Sequence, residues 1–185
     1  YGMANYPDFS LENPYDVISY VSDEEYNVMT QQEKSNVLTH LWKNESISDT
    51  YEPGSTFKPM TFSMALEENK IEKDVTFECL GGLQVADRYI RCWKPEGHGI
   101  QTIKEALENS CNVAFMKIGA AIGREEFYHY QSMFGFGSRT DIDLFGEHTY
   151  VDTVHNVEEL NATELATSSF GQGIYVTPIQ LISAF

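Results

Sequence analysis

Residues 113–122 constrain this chain more than any other stretch. Val113, Ala114, Phe115, Met116, Ile118, Ala120, Ala121 and Ile122 form an almost wholly apolar run that ends at Gly123. A helix that is apolar on nearly every face lies inside a core, and a glycine just past the last apolar residue is a common helix stop. The rest of the chain must therefore wrap one buried helix, and 185 residues suffice for a single domain with a real core. Ser110-Cys111-Asn112 stands at the entrance to that run. Before it, Thr102-Ile103-Lys104-Glu105 reads as a capping box opening a short helix, so Ser110 and Asn112 occupy a junction between helices. Polar side chains beside a buried helix are costly unless satisfied. Simple capping is one role for them. The chemical alternative is a hydroxyl that relays protons and an amide that orients its neighbours.

A second junction is Tyr51-Glu52-Pro53-Gly54-Ser55-Thr56-Phe57-Lys58-Pro59. Pro53 and Gly54 break any preceding element. Phe57, Met60, Phe62, Met64, Ala65 and Leu66 then suit a largely buried helix ending near Asn69. Residues i and i+3 share a helix face, so Lys58 can hold its amine against the Ser55 hydroxyl. A serine becomes a good nucleophile when a neighbouring base takes its proton. A lysine is such a base when burial keeps it neutral. By itself Ser-x-x-Lys fits equally a capping serine followed by a solvated lysine.

The remaining layout is mostly helical. Thr30-Gln31-Gln32-Glu33 is a capping box for a helix through about Trp42. Helices are expected at 56–68, 103–109, 112–122 and 124–133, and from Asn161 to about Ser169. Thr177, with Pro178 at N1 and Gln180 at N3, opens the last. Residues 1–9, 75–92 and 140–152 are the expected strands or extended loops. Within 75–92, Gly81-Gly82 is a turn signal and Tyr89-Ile90-Arg91 alternates, which suggests a turn and short strands.

Taken together, these segments resemble the transpeptidase domain of a class B penicillin-binding protein. Ser-x-x-Lys and Ser-x-Asn are shared by that family and the serine β-lactamases. Longer segments agree in order: Gly2–Phe9, Trp42-Lys43-Asn44, the stretch through Lys58, His98-Gly99, Phe134–Gly137, Ile142–Glu147, Ser169-Phe170-Gly171-Gln172-Gly173, and Val176–Gln180. The resemblance implies an α+β fold of the penicillin-binding-protein/β-lactamase type. Residues 1–185 would be a partial transpeptidase domain, dominated by the helical subdomain with a few short strands. It implies catalysis by Ser55, Lys58, Ser110 and Asn112, and substrate binding at Gln172 and Gly173. The implied activity is a D,D-transpeptidase that crosslinks peptidoglycan stem peptides through an acyl-enzyme and is also acylated by β-lactams, with no cofactor. The family's third motif, Lys-Ser/Thr-Gly, is begun by no lysine of this chain. On the resemblance, the chain is therefore a fragment of the domain, inactive or nearly so. Thr140-Asp141 and Phe145 depart from the family's usual Thr-Gly and proline. A serine β-lactamase, a β-lactam sensor and a non-catalytic scaffold of the cell-wall synthesis machinery are the alternatives.

Charge bears on partners. The formal charge of −16 argues against nucleic-acid binding, which needs the opposite sign. Acidic clusters such as Asp23-Glu24-Glu25 read as solvated faces. No apolar run of about 18 residues is present, so nothing here is expected to span a membrane. The family's catalytic domain works on the outer face of the bacterial cell membrane, with its anchor outside these residues. In that location a disulfide between Cys79 and Cys92 is permitted; pairing and separate thiols both stay open. Cys111 reads as a small buried residue. His40, His98, His129, His148 and His155 are scattered, and no Cys-x-x-Cys or His-Glu-x-x-His spacing occurs, so no metal site is expected.

Overall fold

The computed structural model describes residues 2–72, 74–149 and 153–185. The chain opens with α1 (Asp23–Val28), α2 (Gln31–Trp42) and α3 (Glu45–Ser48). A 3₁₀ turn (Gly54–Phe57) leads into α4 (Lys58–Glu67). Four strands follow: β1 (Thr76–Cys79), β2 (Gly82–Val85), β3 (Arg88–Arg91) and β4 (Gly99–Thr102). Then come α5 (Ile103–Glu108), α6 (Asn112–Ile122), α7 (Arg124–Met133), α8 (Ala162–Ser168) and α9 (Pro178–Ala184). The described strands form two antiparallel pairs, β1–β4 and β2–β3.

The capping signals hold at each expected start. The backbone N–H of Thr30 donates to Glu33 Oε2 at 2.7 Å, and that of Thr102 donates to Glu105 Oε2 at 2.7 Å. Thr177 and Gln180 close the same reciprocal box on α9. The sequence reading missed one box. Ser22 caps α1, with Glu25 reaching back to it, so Asp23-Glu24-Glu25 is a helix first turn in which the carboxylates also meet the positive end of the dipole. Helix α3, capped by Asn44, was likewise not anticipated.

The strands required more correction. Segments 2–9 and 140–149 take the loop form of the expected strands or loops, and residues 1 and 150–152 lie outside the described set; the corrections fall between 75 and 102. The hairpin turn is Ala86-Asp87, with Ala86 at φ 50°, whereas Gly81-Gly82 is the crossing from β1 into β2. Strand β4 escaped the sequence reading because its alternation is inverted: Ile100 is exposed while Gln101 is buried.

Helix α6 is the axis of the core. Val113, Ala114, Phe115, Met116, Ile118 and Ile122 are all buried, each large side chain worth about 1.5–3 kcal/mol on full burial. α4 and α8 both pack against it, joined where Thr61 Oγ1 donates to Ser169 O at 2.9 Å, with β1, β2 and α7 also in contact. Phe57 ties the 3₁₀ turn to this core, its ring centroid 5.4 Å from Phe136 and 6.2 Å from Phe127. A smaller cluster around Val17, Val37 and Leu41 sits under α2.

Where α6 meets the end of α8, a side chain on Gly119 would put its Cβ 2.7 Å from Ser169 Cβ. Ser169 is fully buried, and its hydroxyl donates to Ala166 O at 2.6 Å, so it cannot yield easily. Gly119→Ala gains roughly 0.5–1 kcal/mol of helix propensity but incurs overpacking of about 1–3 kcal/mol. The clash outweighs the gain, and Gly119→Ala lowers the denaturant midpoint without changing the m-value.

Candidate active site

The Ser55 turn is built by close backbone approach. Gly54 donates its N–H to Gly171 O at 2.9 Å, and a Cβ on Gly171 would lie 2.1 Å from Gly54 O. Gly171, at φ 80°, is therefore glycine because the chain presses directly on the turn that carries the serine. Tyr51 pairs with Val176, extending this contact along the segment. The turn leaves Ser55 exposed, and one turn later Lys58 is buried with 1% of its surface accessible.

The second polar pair arrives from the far side of the core. Helix α5 ends in a Schellman arrangement, with Cys111 N–H donating to Ala106 O at 2.9 Å and Ser110 N–H to Leu107 O at 3.0 Å. The left-handed residue of that motif is usually glycine. Here it is Ser110, at φ 49°, at a cost of about 1–2 kcal/mol. Such strain persists where the surroundings over-determine it, and it clusters at functional sites. Trp93 supplies part of that restraint: its Nε1–H lies 3.0 Å from Asn109 O and 3.1 Å from Ser110 O.

Lys58 Nζ is the meeting point. It lies 3.1 Å from Ser55 Oγ, 2.8 Å from Ser110 Oγ, 2.8 Å from Ser110 O and 2.8 Å from Asn112 Oδ1. Ser110 Oγ is in turn 2.8 Å from Ser55 Oγ. Ser110 O and Asn112 Oδ1 can accept both hydrogens of a neutral amine. The nitrogen lone pair then points at the hydroxyls, ready to take a proton from Ser55 directly or through Ser110. Burial pushes the Lys58 pKa down to about 8, against a smaller upward pull from the Cys92 and Cys111 sulfurs. Roughly one molecule in ten then carries the neutral amine at pH 7. The fold thus brings Ser55, Lys58, Ser110 and Asn112 together.

Gln172 and Gly173 follow Gly171 on the segment beside the Ser55 turn. Gly173 N–H donates to Glu52 Oε1 at 2.8 Å, and Gln172 is exposed. No described hydrogen bond joins either of them to Ser55. Glu52 and Trp93 were missed as site residues; neither lies in a short motif, and both act through backbone groups.

A second cluster lies directly behind Ser110. Cys79, Cys92 and Cys111 are buried free thiols, and their sulfurs lie within 4.8 Å of one another and of an imidazole nitrogen of His98. The Cys79 and Cys92 sulfurs are therefore close, although Cys79 ends β1 and lies outside the β2–β3 hairpin, and they stand as separate thiols. The expectation of no metal site did not anticipate this grouping of ligand-type side chains. Spacing in the chain hid it, because the ligands come from a strand end, a hairpin end, a loop and a helix cap. Burial raises the Cys92 thiol pKa, but N–H groups of Lys94, Asn112 and Val113 outweigh it and draw the value below the ordinary one. Burial pushes Cys111 up to about 12.

A buried axial helix, with Ser-x-x-Lys packed beside it and Ser-x-Asn at its entrance, frames this site. The chain belongs to the family described as the penicillin binding protein transpeptidase domain, whose profile matches residues 12–185. It is 41% identical over 184 residues to stage V sporulation protein D of Bacillus subtilis, a match covering 99% of this chain and 25% of that protein. It is 28% identical over 180 residues to peptidoglycan D,D-transpeptidase FtsI of Escherichia coli K12, covering 94% and 28% respectively. The fold is similar to that of a crystal structure of a peptidoglycan glycosyltransferase from Burkholderia ambifaria, with a TM-score of 0.71 and 26% identity, over 77% of this chain and 44% of that one. The chain spans about a quarter of the length of these curated relatives. Among the described residues no helix is long and apolar enough to cross a membrane.

Proposed function

We propose that this chain supplies the nucleophile half of a peptidoglycan D,D-transpeptidase. The observation that carries the reading is the triangle of Ser55 Oγ, Ser110 Oγ and Lys58 Nζ, with sides of 2.8 Å, 2.8 Å and 3.1 Å. Neutral Lys58 takes the Ser55 proton as Oγ attacks the carbonyl of the penultimate D-alanine in a stem peptide. Negative charge develops on that carbonyl oxygen, where the Ser55 backbone N–H, near a helix start, is placed to donate. The tetrahedral intermediate collapses with cleavage of the C–N bond. The proton held on Lys58 passes through Ser110 to the departing D-alanine amine. Asn112 orients Lys58 and the substrate amide, and Gln172 and Gly173 line the substrate side. An amine of a second stem peptide then attacks the acyl-enzyme, releasing Ser55 and forming the crosslink. A β-lactam acylates the same oxygen and leaves slowly. The work is placed on the outer face of the bacterial cell membrane, alongside other cell-wall synthesis proteins.

A labelled penicillin tests this. A stable adduct on the Ser55 peptide of the full-length protein supports the reading. Rapid turnover points to a β-lactamase, and no adduct points to a scaffold. A sensor also gives a stable adduct but forms no crosslinks from stem peptides. The Lys-Ser/Thr-Gly triplet is not among these 185 residues. Loss of a single oxyanion donor costs about 10²–10³ in rate. The isolated chain is therefore expected to acylate at least about 10²-fold more slowly than the same chain joined to a segment bearing that triplet. Equal rates in a side-by-side assay would show that these residues already contain a substitute.

A further inference from the structure

We propose that Cys79, Cys92, Cys111 and His98 bind a single Zn²⁺ ion that ties the Ser110 junction to the adjoining strands. Three sulfurs and one imidazole nitrogen are a common donor set for structural zinc, which takes four such ligands tetrahedrally. With Zn–S near 2.3 Å, tetrahedral geometry sets neighbouring sulfurs about 3.8 Å apart. The four donor atoms already lie within 4.8 Å of one another, so closing on an ion needs a contraction of at most about an ångström.

The backbone around the cluster is built for this convergence. Cys79 ends β1, opposite Gly99 in the β1–β4 register, so His98 stands beside it. A Cβ on Gly97 would lie 2.2 Å from Cys79 O, and one on Gly81 would lie 1.9 Å from Pro95 O. Both glycines have positive φ, 80° and 92°. The loop that carries His98 therefore lies flat against the end of β1, in a contact that no side chain would permit. Cys92 leaves β3 with its N–H on Gly81 O at 2.9 Å, which turns its sulfur to the same point. Cys111 is the N-cap of α6.

The polar surroundings suit metal thiolates. Cys111 is the N-cap residue of α6, so the cluster sits at the N-terminus of that helix, where the dipole favours negative charge. His98 packs its ring edge-on against Trp93, with centroids 5.2 Å apart, and makes few polar contacts. Its Nδ1 lies 3.7 Å from Cys92 Sγ, and its buried Nε2 has no hydrogen-bond partner. A disulfide between Cys79 and Cys92 would use two of the four donor groups. Zinc uses all four groups. Binding releases the thiol protons and leaves three thiolates, one neutral imidazole and one Zn²⁺, a net single negative charge.

The consequence for the site rests on the proposed function. Cys111 lies between Ser110 and Asn112, and Trp93, next to Cys92, holds the Ser110 carbonyl. The ion would hold Ser110 in its strained left-handed conformation by fixing the residues on either side.

The test uses the full-length protein purified under reducing conditions. Elemental analysis is expected to give about one zinc per chain. After removal of zinc, added Co²⁺ is expected to give the intense absorption of tetrahedral thiolate-rich cobalt, which added zinc abolishes. His98→Ala and Cys111→Ser are each expected to lower metal affinity at least about tenfold, while Ser55→Ala keeps the full metal content although it cannot be acylated. Should Cys111→Ser fail to fold, His98→Ala decides, since His98 is half-buried and outside the apolar core. Substoichiometric zinc together with a Cys79–Cys92 disulfide, an octahedral cobalt spectrum, or His98→Ala with unchanged affinity would overturn the proposal. Because metal content is read separately from acylation, failure of the transpeptidase reading leaves this result intact.

Discussion

Ser55→Ala abolishes penicillin acylation of the full-length protein, by at least about 10⁴-fold, the scale seen when the nucleophile of a serine acyltransferase is removed. The size of the effect follows from the geometry. Ser55 is the exposed hydroxyl in the triangle with Lys58 and Ser110, and an acyl adduct needs an oxygen at that point. The loss leaves the fold untouched, because the Ser55 side chain contributes nothing to the core. Intact-mass spectrometry followed by peptide mapping checks the result, with circular dichroism as the control for folding. An adduct that persists on another serine in Ser55→Ala would remove Ser55 from the chemistry.

Lys58→Arg is the second large effect, with acylation reduced by about 10²–10⁴-fold, the range for loss of a general base. Charge is kept, so a purely electrostatic role would survive. A guanidinium cannot give up its proton near neutral pH, so a base role would not. The pH profile of the unmodified protein makes the same distinction. Burial holds Lys58 down to about 8. The active form is the neutral amine, which is scarce below that value and complete above it. The acylation rate therefore rises about tenfold per pH unit on the acid side and levels off above about pH 8. A rate that is flat from pH 6 to about 9, or that falls as pH rises, contradicts the assignment. The measurement is a stopped-flow or gel-based second-order acylation rate across that range.

Much of this molecule is legible in local sequence. The apolar stretch from Val113 to Ile122 becomes the axial helix because a helix without a polar face has nowhere to go but inward. The boxes at Thr30, Thr102 and Thr177 mark true helix starts because capping is settled within about four residues. Ser55 and Lys58 face each other because three residues make nearly one helical turn, and the apolar positions around Lys58 bury it. The strands were less legible. In β4 the apolar residue faces outward, and the hairpin turn at Ala86-Asp87 lacks the glycine that marks such turns.

What the sequence by itself determined is most of the helices beyond α1 and α3, the capping boxes at Thr30, Thr102 and Thr177, the apolar axis and the pairing of Ser55 with Lys58, features written in local pattern and spacing. The tertiary structure alone decided that Ser110 and Asn112, 52 and 54 residues further on, close around the same amine. It alone decided that Ser110 takes the left-handed position of a Schellman motif, and that Gly171 lies flat on the Ser55 turn. It alone gathered Cys79, Cys92, His98 and Cys111 from separate elements to one point. Such meetings depend on how α4, α6 and the two strand pairs pack, and packing is set by the whole buried surface rather than by spacing along the chain.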